Sequence, residues 1–175
     1  MATYTLISSN VLSSSAASVT FSAIPATYTD LVLRCSVRST HAGGNDLLQV
    51  NFNSDSPSTG TKYSDTFLNT PSMSANSGRD SNQSIFFQVK FPASSSTSNT
   101  FSSIEIYIPS YTVSQNKPIS INNRWENNSA TDADVLAMAA LYRDTTAISA
   151  ITLTPYLTAS LASGSSFYLY GISNA

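Results

Sequence analysis

Apolar residues recur at every second position in short runs along most of this chain, and that alternation constrains the fold more than any other feature. Between Asp30 and Arg38, Leu31, Leu33, Cys35 and Val37 share one face while Arg34, Ser36 and Arg38 share the other. Ile104, Ile106 and Ile108 alternate with Glu105 and Tyr107, and Ile85, Phe87, Val89 and Phe91 alternate with Phe86, Gln88 and Lys90. A period of two puts successive side chains on opposite faces of a pleated strand, so each run marks a strand with one face turned to a core. Clusters of Ser, Asn, Gly and Pro separate the runs at short intervals, the spacing of a sandwich or jelly roll.

Composition points the same way. Charged residues make up only 10% of the chain, against about a quarter in ordinary soluble proteins. Its 34 Ser, 19 Thr and 14 Asn supply the polar surface instead. Nine Tyr and eight Phe with so little charge exclude the composition of disorder. The helix formers Glu, Lys and Arg are scarce, while Thr, Tyr, Phe and Val suit half-buried sheets. A length of 175 residues is enough for one core and short for two. The expectation is an all-β chain: one antiparallel β-sandwich domain over residues 1–175, jelly-roll-like in its wiring.

About nine or ten strands are legible. Residues 3–8 and 17–24 open the series, followed by 30–38. The turn Thr40–Asn45 leads into Leu47–Phe52, which reads as a hairpin with a loose tip. From 53 to 82 the apolar content falls to Tyr63, Phe67, Leu68 and Met73, so this stretch reads as a long surface excursion with one short strand. Ser94–Asn99 turns into Phe101–Ile108. Asn116–Trp125 is a weaker strand, and Pro118 suggests a sheet edge. Residues 132–144 fit a helix through Val135, Met138 and Tyr142, and a strand through Leu136, Met138, Ala140 and Tyr142; the β context favours the strand. Residues 148–153 and 167–172 complete the set.

The chain offers little catalytic chemistry. General acid–base work needs a group tuned near neutral pH, and the one histidine, His41, lies in a Gly-rich turn and reads as a solvated loop residue. Cys35 sits at an inward strand position and reads as a small packed residue. Being the sole cysteine, it excludes an internal disulfide and a cysteine-rich metal knuckle. Most acids flank turn residues, where they bond the backbone. Asn51, Asn53 and Asp55 echo the oxygen spacing of a calcium loop, but its sixth-position Gly and terminal Glu are missing. No phosphate loop, GxSxG elbow or HExxH occurs. No catalytic residue, cofactor or metal site is expected.

Eight basic residues scattered singly, with a net charge of −2, form no stripe for a nucleic-acid backbone. No run approaches a membrane-spanning length, and the first residues lack a secretory pattern, so the chain is expected to be made in a cytoplasm and to stay soluble. What remains for recognition is a set of aromatics. Tyr107, Tyr111, Trp125, Tyr156, Tyr168 and Tyr170 are candidates for a subunit interface or for stacking on glycans, with core packing the competing role.

Several blocks, in order, resemble a family of small β-rich virion structural proteins of tailed bacteriophages. They are Thr3-Tyr-Thr-Leu-Ile-Ser-Ser9, Phe21-Ser-Ala-Ile-Pro-Ala-Thr-Tyr-Thr-Asp-Leu31, Phe52-Asn-Ser-Asp55, Ile108-Pro-Ser-Tyr111, Ala147-Ile-Ser-Ala-Ile-Thr-Leu153 and Gly164-Ser-Ser-Phe-Tyr-Leu-Tyr-Gly-Ile172. The resemblance implies a non-enzymatic head decoration or cement protein located in the virion. It would bind the major capsid protein or another virion protein, as a homotrimer suited to capsid three-fold positions. A head or tail fibre tip is the alternative, disfavoured by the lack of a shaft repeat or coiled coil. A carbohydrate-binding module for host surface glycans is a further alternative.

Overall fold

A computed structural model describes residues 2–55, 61–70, 74–84, 86–129 and 132–173, without the side chains of Phe87 and Gln88. Met73, read above as part of the surface excursion, and Ile85, read as an apolar strand position, lie outside the described residues. The described chain forms twelve strands: β1 (Thr3–Val11), β2 (Val19–Phe21), β3 (Asp30–Ser36), β4 (Asn45–Phe52), β5 (Tyr63–Asn69), β6 (Asn76–Gln83), β7 (Phe86–Pro92), β8 (Ser103–Ile108), β9 (Lys117–Trp125), β10 (Asp134–Tyr142), β11 (Ile151–Pro155) and β12 (Ser166–Ser173). They make a large sheet of eight strands, ordered β1-β12-β3-β8-β9-β10-β5-β6, and a small sheet of four, ordered β2-β11-β4-β7. Every pairing is antiparallel. The chain is an all-β sandwich, as the alternation predicts.

The pairings are nested. β5 pairs β6, β4 pairs β7, β3 pairs β8, β2 pairs β11 and β1 pairs β12. The chain is therefore folded back on itself once, with its tip at β5/β6 and its ends at β1/β12. The strands β9 and β10 are added between β8 and β5.

Period-two burial supplies the core. Leu31, Leu33 and Cys35 of β3, Ile104, Ile106 and Ile108 of β8, and Phe167 and Leu169 of β12 meet Leu48, Val50 and Phe52 of β4 in one buried cluster. Burial of these side chains is the main driving term, at about 25 cal/mol per Å² of apolar surface. At one end, Phe52 of the small sheet packs on Tyr142 of the large one with ring centroids 5.1 Å apart, and Tyr63 meets Phe86 at 4.8 Å. Residues 134–142 form a strand, with Leu136, Met138, Ala140 and Tyr142 all buried on its inner face.

Four expectations are corrected. Thr40–Asn45 does not close a hairpin, because β3 and β4 belong to different sheets; its glycines serve a corner between layers. The region 53–82 is more than an excursion: β5 pairs with β10 and β6 with β5, extending the large sheet. Asp65 and Asn69 occupy inner positions of β5 beside Tyr63 and Phe67, which hid the alternation. Pro118 is not on an edge strand, since β9 lies between β8 and β10. The ladder with β8 runs only from Arg124 to Ser120, so Pro118 falls beyond it and a missing N–H is tolerated. Phe86, read as outward, is fully buried because the β4/β7 register shifts between Leu48 and Val50.

Candidate interaction face

The outer face of the large sheet gathers the side chains best placed for recognition. Because Phe167 and Leu169 point inward, Tyr168 and Tyr170 point outward from β12. The register sets Tyr168 beside Arg34, Arg34 beside Glu105 and Glu105 beside Asn122. In the adjacent row Tyr170, Val32, Tyr107 and Ser120 stand side by side. Three of the tyrosines singled out in the sequence, Tyr107, Tyr168 and Tyr170, are thus brought together, each half-buried. Val32, between two of them, is only 3% exposed.

The first row borders a shallow groove of about 470 Å³ lined by Arg34, Glu105, Asn122, Arg124 and Tyr168 among others. Arg34 donates from Nε to Glu105 Oε2 at 3.0 Å. Their side chains are 58% and 44% exposed, so the pair orients charge at the surface and adds little stability. In the second row, Tyr107 donates its hydroxyl to Asp30 Oδ2 at 3.0 Å, while Asp30 Oδ1 accepts from the Ser110 amide at 2.9 Å. Burial, and then the Asp30 carboxylate, push the Tyr107 phenol above its ordinary pKa. Its proton therefore stays in place, and its ring is held. This face can stack, hydrogen-bond and pair charges.

The other candidates do not join it. Tyr111 is fully buried in the turn after β8, its hydroxyl donating to the Pro25 carbonyl. Trp125 is 4% exposed, on the inner parity of β9 with Ile119 and Ile121. Neither is placed to make a surface contact. Tyr156 is exposed, but it follows β11 of the small sheet. Conversely, Tyr4 and Leu6 of β1 were missed, although they adjoin the face. They pair with Ile172 and Tyr170 and are 56% and 51% exposed.

A second cluster joins Lys62, Asp55, Asp144, Tyr63 and Tyr142. Lys62 Nζ donates to Asp144 Oδ2 at 2.7 Å and to Asp55 Oδ1 at 2.9 Å. Asp55 Oδ2 accepts from the hydroxyls of Tyr142 at 2.9 Å and Tyr63 at 3.2 Å. The carboxylates raise the Lys62 pKa, and burial raises those of both phenols. These bonds tie Asp55, Lys62 and Asp144 to the ends of β5 and β10 as a clasp. The calcium-like spacing is absorbed likewise. Asn53 Oδ1 accepts from the Ser149 amide at 2.8 Å, and its Nδ2 donates to the Ala147 carbonyl at 2.9 Å. Among the described residues, no group of three or more His, Cys, Asp or Glu is placed to hold a metal.

The fold and this face define a class: a two-sheet β domain with one open, aromatic and polar sheet surface. Compared with known proteins, the chain matches no family model and no curated protein.

Proposed function

We propose that this chain is a non-enzymatic structural protein of a tailed-phage virion, attached to the outside of the head as a decoration or cement subunit. The observation that carries the reading is the outer sheet face, where Tyr168 stands in register with Arg34 and Glu105, and Tyr170 and Tyr107 flank Val32 in the adjacent row. Such a face suits a contact made once per subunit and multiplied by symmetry. The partner is the major capsid protein or another virion protein, and a homotrimer fits a shell's three-fold positions. Assembly takes place in the host cytoplasm.

Two further observations support it. The nested pairing of β1/β12, β2/β11, β3/β8, β4/β7 and β5/β6 is the wiring of a rolled-up hairpin, which favours a jelly roll with β9 and β10 inserted. The blocks that carry the phage resemblance also meet one another in space. Asn53 holds residues 147–150, Asp30 takes the Ser110 amide, and Tyr28 packs its ring on Gly171.

Immunogold electron microscopy of virions from the producing culture tests the reading, with antibody against the recombinant chain. Gold over heads is expected. Gold at tail tips favours a fibre tip, and virions free of gold overturn the proposal. A carbohydrate-binding role is the second reading, favoured by Tyr168 bordering the groove with Arg34, Glu105 and Asn122. Glycan-array binding abolished by Tyr168→Ala would establish it, and silence on all glycans would remove it.

A further inference from the structure

Four strands terminate the two sheets: β1 and β6 in the large one, β2 and β7 in the small one. Three of them carry features that discourage pairing with another chain. β6 contains Arg79 and Asp80, β7 contains Lys90 and ends at Pro92, and β2 is only 3 residues long. Charge, proline and brevity are the devices that keep sheet edges apart. β1 has none of them. Its 9 residues, Thr-Tyr-Thr-Leu-Ile-Ser-Ser-Asn-Val, include no charge, proline or glycine, and among the described strands it pairs with β12 alone.

Both faces of β1 are also open. All its residues are exposed except Ile7, which is half-buried against the core. The strand therefore buries little of its own apolar surface, although Tyr4, Leu6 and Val11 are 56%, 51% and 60% exposed. Tyr4 and Leu6 extend the aromatic corner formed by Tyr170, Ile172, Val32 and Tyr107 right up to this edge.

We infer that β1 is a self-association edge: the β1 strands of two copies of this chain pair antiparallel about a two-fold axis and join two large sheets into one. A second copy is the occupant because a two-fold pair sets the strand against itself. A charged strand would face its own charge there, whereas this neutral one does not. With Thr5 opposite Thr5 of the other copy, Tyr4 crosses Leu6 twice, and aromatic–aliphatic cross-strand pairs are favourable. The irregularity in β1 falls between Leu6 and Ser8, so residues 4–6 present a regular edge. The inference goes beyond the virion reading and does not depend on head attachment; combined with the three-fold assembly proposed there, it predicts a hexamer, an even multiple, rather than a trimer.

The test is sedimentation velocity of the full chain at about 100 µM, well above the Kd of a moderate homodimer. Dimers, or even multiples of them, are expected. Leu6→Lys sets like charges near the axis and raises Kd about tenfold or more; circular dichroism checks its fold. Thr5→Cys should cross-link two copies under mild oxidation, since facing strand positions lie within disulfide reach and the only other cysteine, Cys35, is buried. Ser9→Cys should not. A chain that stays monomeric, or whose largest species is a trimer, overturns the inference. So does a dimer untouched by Leu6→Lys, and if that variant fails to fold, absence of the Thr5→Cys cross-link decides against it.

Discussion

Asp65 makes the stability of this domain depend on pH in an unusual direction. It sits on the inner parity of β5, directly opposite Asp80 of β6, and is 5% exposed with Oδ1 unpartnered. Burial first, and the Asp80 charge second, raise its pKa from 3.8 to about 6. A carboxyl whose folded pKa exceeds its unfolded value binds its proton more tightly in the folded state, so stability rises as pH falls from about 6 towards 3.8. At 1.36 kcal/mol per pH unit the full effect is about 3 kcal/mol, and water access at the end of the sheet reduces it to about 1–2 kcal/mol. Asp144 has the opposite sign: the Lys62 hydrogen bond leads in lowering it from 3.8 to about 2, so its contribution is lost below 3.8. The wild type should therefore be most stable near about pH 4–5. Urea unfolding followed by the single, buried Trp125 measures this between pH 8 and 3. Asp65→Asn should be more stable than wild type by about 1–2 kcal/mol at pH 8, the gap closing by about pH 4. An Asp65→Asn variant that is less stable at pH 8, or wild-type stability that falls from pH 7 to 5, would refute the reasoning.

Ile106→Asp should abolish soluble expression, because Ile106 is 1% exposed and a buried unpaired charge costs several kcal/mol. Glu105→Ser, one position along and facing solvent, should change stability by less than about 1 kcal/mol in a thermal melt. Gly171→Ala should destabilise by about 1–3 kcal/mol, since a Cβ there runs into the ring of Tyr28; pairing it with Tyr28→Ala in a double-mutant cycle should recover part of the loss. Arg38 donates to the carbonyls of Ser94, Ser96, Thr97 and Thr100 and to the Thr100 hydroxyl. Arg38→Lys should cost about 1–3 kcal/mol and speed hydrogen exchange across residues 94–100, because one ammonium cannot reproduce the planar fork.

What was legible in the sequence was parity, and what was not was partnership. Leu31, Leu33 and Cys35 against Arg34 fix the faces of β3 without any knowledge of its neighbours, because a pleat alternates wherever it lies. The same rule, applied to Ile119, Ile121 and Trp125, would have placed Trp125 inside. Parity fails where inner positions are polar, as at Asp65 and Asn69, because the alternation then carries no hydrophobic signal. It also cannot say which sheet a strand joins. Gly43 and Gly44 look like a hairpin tip, yet they lie in a corner between layers, where a Cβ would crowd the His41 ring at Gly43 and the Asp132 carboxylate at Gly44. The interaction face was therefore half visible. Arg34, Glu105, Tyr107, Tyr168 and Tyr170 can each be assigned an outward side from their own strands, but the two adjacent rows they form exist only once β12, β3 and β8 are known to be neighbours. Those neighbours follow from the fold-back that brings the chain's first and last strands together. Tyr4 and Leu6 join the face for that reason alone: β1 lies beside β12 although more than 150 residues separate Leu6 from Tyr170, and no local pattern records a contact at that range.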